Sequence, residues 1–235
     1  MPKGDLRNLM EFVFHTRPSD APFVERVWRT QSQCAGSFLS LAASQWEIVL
    51  MKHHGKASFI IRGPSTKARS ASFPEDAEYF GVVFRLGVFM PQLPTVNRLD
   101  GNDVILPKAT GNAIWLNSST WQYPDYENAD VFVKRLVREG LLVSDPVVDA
   151  ALQDRTQTLS VRSLQYRFLR ATGLTYKLIQ QIERAKHAKE LLIQGTSILD
   201  TAYETGYSDQ AHLTNSLKRF IGQTPSQLTG VSQAG

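Results

Sequence analysis

The sequence predicts an α+β chain in which a β-rich N-terminal domain is followed by an all-α domain. Two observations in the first half predict the β-rich part: short β-forming segments alternate with Gly and Pro turns, and nine of the eleven prolines lie before residue 125. After Pro124 the apolar residues recur at helical spacing and no strand pattern follows. The 235 residues, 42% of them apolar, suffice for one large or two modest domains.

The N-terminal domain is placed at residues 1–122 and is expected to be a small barrel or sandwich. Its turns fall at Gly and Pro clusters, and His53-His54-Gly55 has the character of a hairpin turn. The predicted strands are Met10–Phe14, Phe23–Trp28, Trp46–Met51, Ala57–Arg62 and Tyr79–Leu86.

The helical domain is placed at residues 128–230, with the boundary near 122–128. Its first helix is predicted over Asn128–Glu139, with Gly140 as the stop signal. Asp145-Pro146 then predicts the start of a second helix, because Asp caps helix N-termini and Pro fits the first helical turn.

The helical domain contains a repeat in which the same residue spacing returns after 49 residues. The matched positions are Leu164, Phe168, Gly173 and Thr175 in the first copy and Leu213, Leu217, Gly222 and Thr224 in the second. Two apolar residues four apart define one face of a helix, and the glycine five residues later ends it. A shorter helix precedes each copy, over Val147–Leu152 and Ile198–Thr205. The repeat therefore predicts two helix-turn-helix units, at about 145–173 and 197–222.

Between the two units, residues 175–194 carry a continuous apolar stripe that includes Leu178, Ile182 and Leu192 and predicts one linker helix. At ~1.5 Å per residue such a helix is roughly 30 Å long. Successive major-groove segments on one face of DNA lie ~34 Å apart. The linker therefore has about the length that places two helices in adjacent turns of the groove, and a plain helical bundle is the alternative.

The positive charge of the chain is concentrated in its last third. The net charge of +4 divides into −1 for residues 1–154 and +5 for residues 155–235, where ten Lys and Arg accompany five Asp and Glu. A basic module beside a neutral body favours a polyanionic partner, although ordinary surface charge gives the same balance.

Other features narrow the class of protein. No stretch of about 18 consecutive apolar residues predicts a membrane span, and the first ten residues lack the apolar core of a secretion signal. Cys34 is the only cysteine, which excludes an intramolecular disulfide and favours a cytoplasmic location. We expect Cys34 to be a buried small hydrophobe rather than a nucleophile.

Residues from about 128 to 230 resemble the two-unit DNA-binding domain of AraC-type (AraC/XylS) transcription regulators. The motifs that carry the resemblance are Leu164-Gln165-Tyr166-Arg167-Phe168 with Gly173, Arg184-Ala185 through Leu191-Leu192, Ile198-Leu199-Asp200-Thr201-Ala202 with Gly206-Tyr207-Ser208, and Leu217-Lys218-Arg219-Phe220 with Gly222-Gln223-Thr224-Pro225. The resemblance implies a cupin-like N-terminal domain that binds an effector or dimerises. It also implies double-stranded DNA as the partner, with a small-molecule effector, RNA polymerase and a second copy of the chain as further candidates.

In the first unit, the outward face of the second helix carries the candidates for base contact. With Leu164 and Phe168 facing inward, these candidates are Arg162, Ser163, Gln165 and Tyr166. Arg suits the O6 and N7 atoms of guanine, and Gln suits the N6 and N7 atoms of adenine. Tyr166 stands where related proteins tend to carry Arg, so phosphate contact and packing are alternatives for it.

In the second unit, Leu213 and Leu217 are the inward positions. The outward candidates for base contact are Gln210, Ala211, His212 and Asn215, and those better placed for phosphates are Thr214 and Lys218. Asn215 stands where many relatives carry Arg, and an ordinary surface histidine is the alternative for His212. Further candidates for phosphate contact, or for solvated surface charge, are Arg167, Arg170, Lys177, Arg184, Lys186, Lys189 and Arg219. Arg184 is also a candidate for the interface between the units.

The N-terminal domain carries no comparably specific motif. The histidines do not form a chelating set, so we assign no metal, cofactor or catalytic residue and do not expect an enzyme. All four tryptophans lie in this domain, where aromatic residues either line an effector pocket or fill the core. Arg62, Arg69 and Arg85 either place a cation near such a pocket or face solvent.

These observations predict a cytoplasmic, sequence-specific DNA-binding transcription regulator that reads two adjacent major-groove segments under the control of a small molecule at the N-terminal domain. One alternative is an effector-independent DNA-binding protein whose N-terminal domain dimerises or binds another protein. The other is a cupin-type enzyme fused to a DNA-targeting domain, against which the missing metal ligands count.

Overall fold

The computed structural model describes residues 14–93, 99–153 and 159–230. The strands are β1 (His15–Arg17), β2 (Val24–Gln31), β3 (Gly36–Ser40), β4 (Glu47–His53), β5 (Lys56–Arg62), β6 (Arg69–Phe73), β7 (Ala77–Phe84), β8 (Val88–Phe89), β9 (Val104–Leu106), β10 (Ala113–Leu116), β11 (Ser119–Gln122) and β12 (Val143–Ser144). The helices are α1 (Ala129–Arg138), α2 (Pro146–Leu152), α3 (Val161–Thr172), α4 (Tyr176–Ile193), α5 (Ile198–Glu204), α6 (Gln210–Phe220) and α7 (Pro225–Leu228).

The N-terminal half is organised around a six-stranded antiparallel sheet in the order β1-β2-β7-β4-β5-β9. Four of the predicted strands are confirmed as its central members β2, β4, β5 and β7. The strand predicted at Met10–Phe14 lies almost wholly outside the described residues. The predicted hairpin turn joins β4 to β5, with His54 and Gly55 both at positive φ, 46° and 72°. This is the backbone of a two-residue turn whose twist matches that of the paired strands.

One face of the sheet forms the first core together with α1 and the β10–β11 hairpin. Phe132 on α1 sets its ring 6.0 Å from that of Phe59 on β5 and 5.7 Å from that of Trp121 on β11. Aromatic pairs at these distances contribute favourable energy beyond the area that they bury. Helix α1 thus packs with the sheet, although the boundary placed near 122–128 assigned it to the helical domain.

The opposite face of the sheet is partly covered by a two-stranded ribbon, β3 paired with β6, which we call the ribbon. Trp28, Val49 and Val83 are buried on this face. The indole of Trp28 lies directly over Gly81, where an added Cβ would stand only 2.1 Å from Trp28 Cε2. The close packing of β2 on β7 therefore requires glycine at position 81.

The second core lies among the helices that follow β12. Three of the four inward positions of the predicted repeat, Phe168, Leu213 and Leu217, have no exposed surface. The fourth, Leu164, is half-buried and packs against the same core. Ala42 and Phe89 from the β-rich half join the same core. The predicted fold class, a β-rich N-terminal domain followed by a helical domain with two helix-turn-helix units, is confirmed.

The single cysteine does not follow its prediction. Cys34 was expected to be buried, but it is exposed in the segment between β2 and β3. The prediction was wrong because it was based on the general tendency of free cysteines to be buried, without a pattern in the neighbouring sequence.

An ion pair joins β1 to α1 and makes the stability of this contact depend on pH. Arg17 Nη1 lies 2.9 Å from Asp130 Oδ2, and the Ser19 hydroxyl donates to the other carboxylate oxygen. Burial alone would raise the pKa of Asp130, but the hydrogen bonds from Ser19 and Arg17 and the nearby positive charge offset it, so the pKa lies below its ordinary value.

We expect this carboxylate to contribute stability at neutral pH and to lose that contribution in acid. Because the pKa is lower in the folded chain, the contribution is complete above the unfolded value and disappears as the pH falls through the folded value. Urea unfolding of the wild type and Asp130→Asn should differ at pH 7 and converge as the pH falls below about 4. The control is Asp20→Asn, which removes an exposed carboxylate next to Ser19 in the chain. If the difference between the wild type and Asp130→Asn does not change with pH, the expectation is contradicted.

Candidate nucleic-acid interface

The first helix-turn-helix unit is formed by α2 and α3. Asp145 caps α2, since its Oδ1 accepts the backbone N–H groups of Val147 and Val148 at 3.0 and 3.4 Å. Ser160 caps α3 by accepting the N–H of Ser163 at 3.2 Å. Part of the segment between the two helices, residues 154–158, lies outside the described residues. Both caps satisfy N–H groups that a helix leaves without intrahelical partners.

Helix α3 presents the four predicted base-contact residues on its exposed side. Arg162, Ser163 and Gln165 are exposed, and 66% of the surface of Tyr166 is accessible. The Ser163 hydroxyl also lies 3.0 Å from the capping hydroxyl of Ser160, so it is shared with the cap. The first turns of α3 therefore expose one guanidinium, one amide and one phenol, which are groups that form hydrogen bonds with base edges in a DNA groove.

A shallow groove of about 460 Å³ runs along this side of α3. Its lining residues are Leu159, Arg162, Ser163, Tyr166, Arg167 and Arg170. Three of the six are arginines, so positive charge lies beside the predicted base-contact residues. Such a surface suits the phosphate backbone of a nucleic acid.

One of these arginines is engaged within the unit. Arg167 Nη1 lies 3.2 and 3.0 Å from the two carboxylate oxygens of Asp145, a side chain with only 6% of its surface exposed. The pair fastens α3 to the start of α2 and gives Arg167 a structural role. The sequence identified Asp145 as a cap but gave no signal for its second partner 22 residues later.

The second unit is formed by α5 and α6. Ser197 caps α5, and Asp209 caps α6 by accepting the N–H of His212 at 2.7 Å. The turn is fastened to α6 by the hydroxyls of Tyr207 and Ser216, which lie 2.7 Å apart in a buried hydrogen bond.

The predicted contact residues of the second unit also lie on the outer side of their helix. Five of the six are exposed and one, Thr214, is half-buried; the exposed ones are Gln210, Ala211, His212, Asn215 and Lys218. His212 is partly constrained, because its Nδ1 lies 3.1 Å from the Ser208 hydroxyl and its ring stands edge-on to Tyr207 at 5.0 Å. The exposed residues are accessible to a DNA groove, and their contact with DNA stays a prediction.

The cap of α6 also sets a charge beside this surface. Hydrogen bonds from the His212 backbone and the Ser208 hydroxyl hold the pKa of Asp209 below its ordinary value. The carboxylate is therefore ionised at neutral pH. This negative charge interacts favourably with the positive end of the α6 dipole. It also repels a phosphate group that approaches the same end of the helix.

Helix α4 joins the two units and, at 18 residues, is about 27 Å long. Thr175 caps it, and Ile182, Ala185 and Ala188 are fully buried along its length. Arg184 on α4 donates from Nη1 to the carbonyl of Gly206 at 3.3 Å and stacks 4.2 Å from the ring centre of Tyr207. These contacts join α4 to the second unit, and they agree with the alternative prediction that Arg184 lies at the interface between the units.

Two backbone N–H groups from the β-rich half of the chain cap the carboxyl end of α6. Ala42 donates its N–H to the carbonyl of Phe220, and Ala68 donates to that of Arg219, both at 2.8 Å. Sequence reasoning missed this contact, since backbone N–H donors leave no side-chain signal.

A second part of the same interface surrounds Gly222 and α4. An added Cβ at Gly222 would lie 2.8 Å from Leu39 Cδ1 of the ribbon, and φ at this glycine is +79°. Nearby, the buried Ser44 hydroxyl donates to Glu183 on α4 at 3.1 Å. The repeat identified Gly222 as a helix stop, and the structure adds close contact with the ribbon to that role.

The described residues contain neither a metal-binding cluster nor a membrane-spanning helix. Within residues 14–93, 99–153 and 159–230, no three His, Cys, Asp or Glu side chains form a group that could hold a metal ion. In the same part of the chain, no helix combines the length and the apolar character needed to cross a bilayer.

Comparison with known proteins places the similarity in the helical region. Residues 156–230, about a third of the chain, match the family model described as a helix-turn-helix domain. The HTH-type transcriptional regulator RipA of Corynebacterium glutamicum is 33% identical over 101 residues, which cover 40% of this chain and 30% of RipA. The HTH-type transcriptional regulator GlxA of Rhizobium meliloti is 40% identical over 86 residues, which cover 34% of this chain and 25% of GlxA. The matched segment thus spans less than a third of either relative.

Among solved structures, ToxT from Vibrio cholerae is similar over most of the chain. One ToxT structure covers 94% of this chain and 99% of its own, with a TM-score of 0.40 and 12% sequence identity. A second covers the same shares with a TM-score of 0.37 and 12% identity.

Proposed function

We propose that residues 156–230, which match a helix-turn-helix family model, are a DNA-binding domain of the AraC type, and that the chain is a sequence-specific, DNA-binding transcription regulator. The observation that carries the proposal is the equivalence of α3 and α6. Each has a capped N-terminus, a buried apolar face and an exposed polar face, and the 18-residue helix α4 joins them. In this proposal both are recognition helices that enter adjacent major-groove segments.

Within this proposal the two recognition helices use different chemistry. On α3, Arg162 would pair with the O6 and N7 atoms of guanine and Gln165 with the N6 and N7 atoms of adenine. On α6, Gln210 and Asn215 would make amide contacts to adenine, while Lys218 would neutralise a phosphate. The proposal gives the chain no catalytic role and places it with the DNA, in the cytoplasm of a bacterial-type cell.

The proposal includes control by a small molecule in the N-terminal domain. The ribbon and the sheet face that it partly covers enclose a cleft of about 560 Å³, a volume within the range of small-molecule sites. A ligand changes DNA occupancy only if it favours one arrangement of the two domains over another. RNA polymerase and a second copy of the chain stay predictions as partners.

Selection of bound sequences from random duplex DNA, at a fixed near-physiological salt concentration, tests the regulator assignment. We expect a recovered site with two short blocks about one helical turn, ~34 Å, apart. A single block would contradict the use of both recognition helices, and recovery of no sequence at all would contradict sequence-specific binding by this chain.

We expect Arg162→Ala to lower the affinity for the selected site by about 1–3 kcal/mol and to relax preference at one base pair. The loss should be small on scrambled DNA, because a base contact contributes only at its own sequence. Arg138→Ala, which removes an exposed guanidinium from α1, is the matched control and should leave both affinities unchanged. An equal loss on selected and scrambled DNA would show that Arg162 contacts phosphate only.

A further inference from the structure

His212 lies in the first turn of α6 with its imidazole ring held in one orientation. The ring stands edge-on to Tyr207 at 5.0 Å, with an angle of 89° between the two ring planes. Tyr207 is itself fixed, because its hydroxyl forms the buried hydrogen bond with Ser216 and Arg184 stacks on its ring. His212 is nevertheless exposed, on the side of α6 that is proposed to enter the DNA groove. A ring that is both held and exposed presents one defined chemical group to a base edge.

Two contacts fix which ring nitrogen of neutral His212 carries the proton. The Ser208 hydroxyl donates to Asp209 Oδ2 at 3.1 Å, and its oxygen also lies 3.1 Å from His212 Nδ1. A hydroxyl has a single hydrogen, so a serine that donates to the carboxylate can only accept from the imidazole. Nδ1 therefore carries the hydrogen, and Nε2 on the other side of the ring is left as a hydrogen-bond acceptor.

The charged groups around the ring keep this arrangement over a range of pH. Hydrogen bonds from the His212 backbone and the Ser208 hydroxyl lower the pKa of Asp209, so the carboxylate stays ionised and accepts from Ser208 in mild acid as well. On α4, Arg184 contacts Tyr207, and α5 ends at the exposed Glu204, three residues before Tyr207. Of these residue types, histidine alone ordinarily changes its charge between about pH 5 and pH 8.

The two charge states of an imidazole held in this way have opposite hydrogen-bonding character. When the ring is neutral, Nε2 accepts, and its partners in the major groove are the N4 amino group of cytosine and the N6 amino group of adenine. When the ring is protonated, Nε2 donates, and its partners include the N7 and O6 atoms of guanine. Because Nδ1 keeps its hydrogen bond to Ser208 in both states, the ring does not have to turn.

The first unit carries serines at the equivalent positions. The 49-residue offset of the repeat places Ser163 opposite His212 and Ser160 opposite Asp209. Their hydroxyls lie 3.0 Å apart, and a serine hydroxyl does not change its charge in this range of pH. The first unit therefore serves as an internal control for any effect of pH on the second.

We propose that His212 selects one base through the acceptor at Nε2, that Ser208 and Asp209 are positioning residues that fix this tautomer, and that protonation changes the preferred base from cytosine or adenine to guanine. The inference rests on the proposed function and deepens it. It assigns a specificity-determining residue to the second recognition helix and makes the sequence that this helix reads depend on pH.

Long-range ¹H–¹⁵N correlation spectra of the imidazole in the full chain, recorded without DNA at pH 8, test the tautomer. We expect the His212 proton on Nδ1 in the wild type. In Ser208→Ala the proton should distribute over both nitrogens, because the group that accepts from Nδ1 is lost. Ser119→Ala removes an exposed hydroxyl from the β10–β11 hairpin and should leave the His212 signals unchanged. A wild-type proton on Nε2 overturns the inference.

Selection of bound sequences from random duplex DNA at pH 8 and at pH 5.5, with the salt concentration held constant, tests base reading. We expect one position in one of the two blocks to change from cytosine or adenine towards guanine, with a shift in their ratio of about fivefold, the size that one hydrogen bond supports. The other block should change by less than about twofold, since its reader has no titrating group at the equivalent position. Identical sites at the two pH values overturn the inference.

Three variants identify the residues responsible. His212→Gln carries an amide with a donor and an acceptor at every pH, so its preference should not depend on pH. His187→Gln removes another exposed histidine, on α4, and should keep the wild-type dependence.

Ser208→Ala separates positioning from a merely structural role. It should weaken the preference for cytosine or adenine at pH 8 but keep the preference for guanine at pH 5.5, where both ring nitrogens carry hydrogen. An equal loss at the two pH values, or a dependence on pH that persists in His212→Gln, overturns the inference.

These outcomes separate the inference from the proposed function. A chain that selects the same two-block site at both pH values overturns the inference and leaves the regulator assignment intact. A chain that holds the proton on Nδ1 but selects no DNA sequence overturns the regulator assignment and the base reading by His212, whereas the role of Ser208 in fixing the tautomer stands.

Discussion

Phe168→Ala should lower the free energy of unfolding of the helical domain by about 3–5 kcal/mol, the typical cost of emptying a fully buried aromatic site. Phe168 has no exposed surface, and its ring lies 4.9 Å from that of Tyr176 at the start of α4. Its loss therefore removes both the core of the first unit and the contact between α3 and the linker. Urea unfolding followed by circular dichroism measures the change.

Two further variants serve as comparisons for the loss of stability in Phe168→Ala. Leu217→Ala, at the equivalent position of the second unit and also fully buried, should cost about 2–5 kcal/mol. Leu169→Ala, next to Phe168 but with 37% of its surface exposed, should cost less than about 1 kcal/mol. If Phe168→Ala and Leu169→Ala cost the same, the inward face assigned to α3 is wrong.

Asp145→Ala should destabilise the first unit by about 2–4 kcal/mol, because it removes a helix cap and a charged hydrogen-bond acceptor together. The carboxylate accepts two backbone N–H groups of α2 and the guanidinium of Arg167, and only 6% of the side chain is exposed. Thermal or urea unfolding of the variant against the wild type measures the loss.

Asp145→Asn separates the two contributions. Asparagine keeps an oxygen that caps α2 about as well as aspartate but carries no charge for Arg167, so we expect a loss of only about 1–2 kcal/mol. An equal loss for the alanine and asparagine variants would mean that the cap contributes nothing and that the ion pair alone holds α3 to α2.

The central strands and all the long helices could be predicted from sequence because their residues carry a periodic signal. In β4 and β5 the apolar residues are dense and the turn between them contains glycine, whereas Gly173 and Gly222 mark the ends of α3 and α6. The ribbon was missed because β3 and β6 consist largely of Gly, Ser and Ala with few apolar residues. Strands of this composition resemble loops.

The candidate DNA-contact surface was predictable for a related reason. Once Leu213 and Leu217 are assigned to the core, helical geometry alone places residues such as Gln210 and Asn215 on the other side. The partners of charged residues were not predictable. Arg167 and Arg62 are both arginines in polar surroundings, and only the three-dimensional structure shows that Asp145 pairs with the first and that Glu47 and Asp103 pair with the second.

The two backbone caps on α6 bear on how far the helix-turn-helix region can be treated as a transferable module. A helix leaves its last carbonyls without intrahelical partners, and for Arg219 and Phe220 the donors are Ala68 and Ala42, more than 140 residues earlier in the chain. A fragment cut at the start of the helical region would expose these carbonyls to water and fray at the end of α6. Chimeras that exchange N-terminal domains inherit the same requirement: the new domain has to supply two correctly placed N–H groups, which no side-chain alignment records.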